Sequence, residues 1–219
     1  MEMLKLDNRT IQVLRNFSTI NPSILIRPGN KISTISPIKT IMATTSVPYN
    51  FNSEFAIYDL SRFLSTVSLM EEPSLDIGDK VITIKSGKRT VNYTLADPSA
   101  VVSPPETMKE LENLVVSFEI TNDILSSIIK GMNVLRLPEI AIIGDGSTIQ
   151  FQTIDSKNPS GDVYSIEVGQ TDKEFSAIIR SENVKLLPGD YRIDITPRVI
   201  KFYNDDLAYY IAVESHSKF

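Results

Sequence analysis

Apolar positions recur along this chain with two different periods, and the alternation between periods divides it into elements. Ile11, Leu14 and Phe17, with Val13 beside them, recur every three residues behind Asp7. A carboxylate there can accept the free N–H groups of a first turn, so the pattern predicts a helix over 7–19. A second stripe, Leu60, Phe63, Leu64, Val67 and Met70, begins near Asp59 or Ser61. The cleanest, Ile124, Leu125, Ile128, Ile129 and Met132, follows a start at 121–123. A fourth helix over 181–187 is barely two turns long and is stopped by Pro188-Gly189. Elsewhere the pattern alternates, or β-branched runs lie between Gly, Pro, Asn and Asp. Strands are expected over 23–27, 31–35, 55–58, 80–85, 90–95, 139–143, 149–154, 163–168, 192–196 and 209–214. Helices interrupting a strand-rich chain point to an α+β fold, with the helices gathered on one face of antiparallel sheets.

One long break interrupts the periodicity. Residues 97–112 read DPSAVVSPPETMKELE and hold three prolines, Pro98, Pro104 and Pro105. The segment 97–113 is therefore expected to link a first domain, 1–96, to a second, 114–219. The two halves resemble each other. EFAIYDLSRFLS (54–65) runs strand, cap, helix, and EFSAIIRSENVKLL (174–187) repeats that order. LDIGDKVITIK (75–85) matches RIDITPRVIKF (192–202), with Asp76 over Asp194, and TVNYTLA (90–96) sits over YYIAVES (209–215). Offsets drift by only a few residues, as loop-length changes produce, so the chain reads as a tandem duplication.

Composition removes most chemistry. Among 219 residues there is no cysteine, which excludes disulfides, thiolate metal sites and cysteine nucleophiles, and a single histidine, His216, which makes a serine triad improbable. Glu71-Glu72 and Asp205-Asp206 adjoin turn-like segments and read as solvated acids. GDGS (144–147) and KSGKRT (85–90) read as hairpin turns; the second lacks the glycine a phosphate-binding loop needs, having Ile82 there. His216 lies in the tail ESHSKF and is expected to be exposed and without a partner. No constellation supports acid–base or nucleophilic catalysis, so no enzyme activity, cofactor or metal is expected. No apolar run approaches the roughly 18 residues of a membrane span, and MEMLKLDNRT lacks the pattern of a secretory signal. The sequons at Asn8, Asn16 and Asn92 are then chance matches in a chain expected to stay in the cytoplasm.

Charge adds the functional signal. The net charge is −5, yet the four helices and their flanks carry Lys5, Arg9, Arg15, Arg62, Lys130, Arg136, Arg180 and Lys185, eight of 22 basic residues. They hold only four of 27 acids, Asp7, Asp59, Asp123 and Glu182, all at helix starts where the helix dipole favours them. On a helical wheel Lys130 and Arg62 lie opposite their apolar stripes, Lys185 lies away from Val184 and Leu187, and Arg9 and Arg15 flank the polar side of the first helix. Basic helix faces on an acidic protein suit a polyanion held at its phosphates without base readout.

A duplicated α+β unit with basic helices and no catalytic group resembles a DNA polymerase sliding clamp, specifically that of large tailed bacteriophages. The segments carrying the resemblance are NFSTINPSILIRPG (16–29), FAIYDLSRFLSTVSL (55–69), LADPSAVVSP (95–104), LLPGDYRIDI (186–195) and YYIAVESHSKF (209–219). The resemblance implies two clamp-type domains on curved sheets, assembled as a homotrimeric ring around duplex DNA. It implies head-to-tail contacts between strands at about 89–96 and 163–168, and helices lining the hole. The implied partners are a DNA polymerase and an ATP-driven clamp loader, with a part in late transcription and a location in the infected bacterial cell. It also implies an apolar seat for a partner peptide beside the linker, for which Val101, Val102, Pro104, Pro105 and Leu111 are the exposed candidates. A virion structural ring protein would share the duplication and the absence of catalysis, but has no need to gather positive charge on its helices.

Overall fold

The computed structural model describes residues 3–106 and 110–219, and the chain divides into two compact units, Met1–Pro105 and Glu106–Phe219. Positions 107–109 of the proline-rich break lie outside the described residues.

In the first unit, helix α1 (Asn8–Ile20) starts where the Asp7 carboxylate accepts the Thr10 backbone N–H at 2.7 Å. Val13, Leu14, Phe17 and Ile20 are buried, so the three-residue spacing places one face on the core. The helix stops at Asn21, whose side-chain amide donates to the carbonyls of Ile35 and Val102 at 2.9 and 3.0 Å. Strands β1 (Ile24–Ile26), β2 (Gly29–Ile35), β3 (Ile41–Phe51) and β4 (Phe55–Ile57) follow. Helix α2 (Leu60–Ser68) leads into the meander β5 (Ser74–Ile77), β6 (Val81–Ser86) and β7 (Arg89–Thr94). β1 pairs antiparallel with β4, and β2 with β3. Two single bridges close the unit: Leu4 on Leu75 beside β5, and Ala96 on Ala56 at the edge of β4.

The second unit repeats that order. Strand β8 (Val116–Ile120) precedes α3 (Asn122–Leu135), then β9 (Glu139–Asp145), β10 (Thr148–Ile154), β11 (Tyr164–Gln170) and β12 (Glu174–Arg180). β13 (Tyr191–Ile195), β14 (Val199–Tyr203) and β15 (Leu207–Ala212) complete it. One sheet runs β11-β10-β9-β12, and β8, β13, β14 and β15 pair consecutively in another. β8 on β13 corresponds to Leu4 on Leu75, and the bridge from Lys218 to Ser176 corresponds to Ala96 on Ala56. Both core halves are filled by branched and aromatic residues: Phe17, Ile24 and Ile84 in the first unit, Ile142, Ile149 and Phe202 in the second.

Three expectations are corrected. The fourth helix is a single 3-10 turn, Ser181–Asn183, at the position equivalent to α2. Its continuation is captured by two tyrosine side chains: the Leu187 N–H donates to the Tyr209 hydroxyl, and the Tyr191 hydroxyl donates to the Leu187 carbonyl at 2.8 Å. Pro188 then forbids a further turn. Strand β3, eleven residues long, has no counterpart among the expected strands. Its pairing with β2 shifts register between Gly29 and Lys31, opposite the stretch that contains Pro48, so the proline sits where the ladder is already interrupted. His216, expected without a partner, lies 3.2 Å from the Glu139 carboxylate. The two turn assignments hold: Gly146 and Gly87 take φ of 83° and 56° in the β9–β10 and β6–β7 hairpins.

Candidate nucleic-acid interface

The outward faces of α1, α2 and α3 follow from what each helix buries. Leu60, Phe63, Leu64 and Val67 face inward on α2, which leaves Ser61, Arg62, Ser65 and Ser68 on the solvent side. The Asp59 carboxylate caps α2 by accepting the Arg62 N–H at 2.8 Å. On α1, Arg9 and Arg15 are exposed; Arg9 donates to the Gln12 side chain at 3.2 Å. Arg15 reaches across to α2, where its guanidinium donates to the Ser68 hydroxyl at 3.2 Å.

Helix α3 buries Leu125, Ile128 and Met132, with Lys130 exposed on its far side. It packs on β10 and β11, and the packing explains a glycine inside it. A Cβ at Gly131 would lie 2.6 Å from the Tyr164 ring, and Tyr164 is fixed by a 2.6 Å hydrogen bond with Ser127. The helix ends on Arg136 in the left-handed conformation, its N–H bonded to the Met132 carbonyl.

The eight basic residues singled out by sequence thus separate into three groups. Arg9, Arg15, Arg62, Lys130 and Arg136 lie on α-helices or a helix cap, and among the described residues none has a carboxylate at ion-pair distance. Lys5 and Arg180 are shared with acids, Lys5 with Glu72 at 3.7 Å and Arg180 with Glu214 at 3.1 Å. Lys185 is half-buried and follows the 3-10 turn rather than riding on a helix. The picture of four basic helices becomes one of three.

The apolar residues proposed beside the linker are also divided. Val101 is buried against Leu25 and Ala56, and Pro104 is buried as well, so both tie the segment to its own unit. Val102 and Pro105 are exposed and Leu111 is half-buried. Sequence reasoning did not find the hydroxyl groups on the helix faces, although Ser61, Ser65 and Ser68 stand at helical spacing and could have been read from it. It also missed the Glu139 site. Burial alone would lift that carboxyl, but hydrogen bonds from Ser156 and the charges of His216 and Arg180 together hold it below the ordinary range. Glu139 and His216 are brought together by the tail lying along β12, a contact no local pattern announces.

A twice-repeated unit of antiparallel sheets carrying outward-facing basic helices defines a clamp-type architecture. The family model described as DNA polymerase processivity factor matches residues 5–103, and that described as gp45 sliding clamp, C terminal, matches 117–215. The chain is 30% identical to the sliding clamp of Vibrio phage KVP40 over 97% of this chain and all of that one. It is 28% identical to the sliding clamp of Enterobacteria phage T4 over 98% of each. The fold is shared with A. fulgidus PCNA, solved with the C-terminal region of FEN-1, at a TM-score of 0.72 and 15% identity over 95% of this chain and 96% of that one. This chain belongs to the phage sliding clamps, the processivity factors of DNA polymerases.

Proposed function

We propose that the protein works as a homotrimeric ring that encircles duplex DNA and tethers the replicative polymerase in the cytoplasm of an infected bacterium. The observation that carries this reading is the sorting of charge on the helices: exposed Arg9, Arg15, Arg62 and Lys130, against acids confined to caps and first turns. Such faces attract phosphates and read no bases, which suits sliding. A closed ring holds DNA by topology, so tight contacts are unnecessary. The function requires no catalysis; an ATP-driven loader would open the ring, and the same ring can serve late transcription.

The ring contacts fall on two sheet edges. β7 ends the β5-β6-β7 meander and β11 ends the β11-β10-β9-β12 sheet. Lys88 and Arg89 stand at one, Glu167 and Asp172 at the other, and Val91 and Ile166 supply apolar groups. Head-to-tail pairing of these edges closes a ring and removes two sticky margins. For the partner's peptide, the linker offers the exposed Val102 and Pro105 as an anchor. We keep the first domain as 1–96, the linker as 97–113 and the second domain as 114–219.

The test is retention on nicked circular DNA, compared with linear DNA, in buffer of rising salt. A ring stays on the circle and runs off the linear molecule. Equal loss from both would refute encirclement.

A further inference from the structure

The two units are not equivalent at their helices. In the first, α1 and α2 pack together and leave a groove lined by Arg15, Ser18, Ser61, Ser65, Ser68 and Leu69. No acid lines it. In the second, the counterpart of α2 is the 3-10 turn, which carries Glu182 and buries Asn183, so α3 stands without a second basic helix beside it. Resting on the clamp reading above, we propose that the α1–α2 groove of the first unit is the principal seat for a DNA phosphodiester, and that duplex contacts are unequal between the units.

Charge and hydrogen-bonding capacity support this. Arg15 is held in place by Ser68, and a guanidinium has five N–H donors, so most remain for a phosphate oxygen. The hydroxyls of Ser18, Ser65 and Ser68 donate to the carbonyls of Arg15, Ser61 and Leu64. Helix carbonyls already accept a backbone N–H, so these hydroxyls can turn outward to a phosphate at little cost. Arg62, one turn along α2, adds charge, and among the described residues no carboxylate lies at ion-pair distance from its guanidinium, the Asp59 carboxylate being engaged by the backbone N–H. Ser68 is a positioning residue: it fixes the guanidinium that meets the phosphate.

The absence of cysteine makes the test direct. Single substitutions Ser65→Cys in the groove and Ser126→Cys on the exposed face of α3 give unique sites for a short photo-crosslinker. The full-length protein is then bound to a short linear duplex, onto which a ring threads from an end. Crosslinking in excess at position 65 is expected. Equal yield, or excess at position 126, overturns the proposal. Crosslinking at neither position, with retention on nicked circles intact, overturns it while leaving the clamp reading standing; loss of retention as well overturns both. In parallel, Arg15→Gln should lower the slope of log affinity against log salt by about one for each phosphate contact removed. Ser68→Ala should weaken duplex binding although net charge is unchanged, and unaltered affinity in that variant would remove its positioning role.

Discussion

Two residues show how much of this fold is decided by single contacts. Glycine inside a helix costs about 1 kcal/mol relative to alanine, so Gly131→Ala would ordinarily stabilise α3. Here the added methyl meets the Tyr164 ring at 2.6 Å, a ring pinned by Ser127, and the expected outcome is destabilisation of about 1–3 kcal/mol. In a Tyr164→Ala background the sign should reverse, and a double-mutant cycle by chemical denaturation measures it. Glu139 makes the second case. Because its carboxyl is depressed, it contributes stability that is complete above the ordinary glutamate value, about 4.3, and lost as pH falls through its own lower value. Glu139→Gln should therefore flatten the acid limb of the stability–pH curve below about pH 4, read by thermal melts across pH. Neither contact was legible in sequence. Gly131 and Tyr164 lie on a helix and a strand separated by a hairpin, and His216 was read as free because its partner, Glu139, starts the distant strand β9 and is reached only through a tail docked on β12.

Elements were legible where local rules and tertiary packing agree. Asp7 was read as a helix start from its place before an apolar stripe and Asp59 as one of two candidate starts with Ser61, and both aspartates accept a first-turn backbone N–H. Replacing either by alanine should cost about 1 kcal/mol, with asparagine largely neutral, and hydrogen exchange should show the loss concentrated in the first turn of the capped helix. The segment 181–187 was misread because Val184, Leu186 and Leu187 mimic a short stripe, while the tyrosine hydroxyls that hold Leu187 come from the start of the next strand, Tyr191, and from Tyr209 in β15. β3 escaped because Pro48 breaks its alternation. Only the register shift against β2 shows that the proline falls where hydrogen bonding is interrupted.

The whole molecule was read from two signals that survive loop variation, the repeated order of elements and the sign of charge on the helices. Duplication shows in the matched bridges, Leu4 on Leu75 with β8 on β13, and Ala96 on Ala56 with Lys218 on Ser176. Sequence overstated the charge because it placed Lys185 in a fourth helix and Arg180 on its flank; one is half-buried, the other shared with Glu214. At this scale a solution mass of three times the 24.5 kDa chain is expected by light scattering, with Arg89→Glu shifting it toward the monomer through repulsion at the β7 edge. An unchanged mass would place the joint elsewhere. The tail strap has a consequence of its own. A chain with one imidazole gives one histidine signal pair in a proton spectrum, and here that ring lies at the joint between the tail and β9. Whatever lifts the tail moves those resonances and no other histidine's, so the molecule carries a built-in gauge of its own edge, readable without any label.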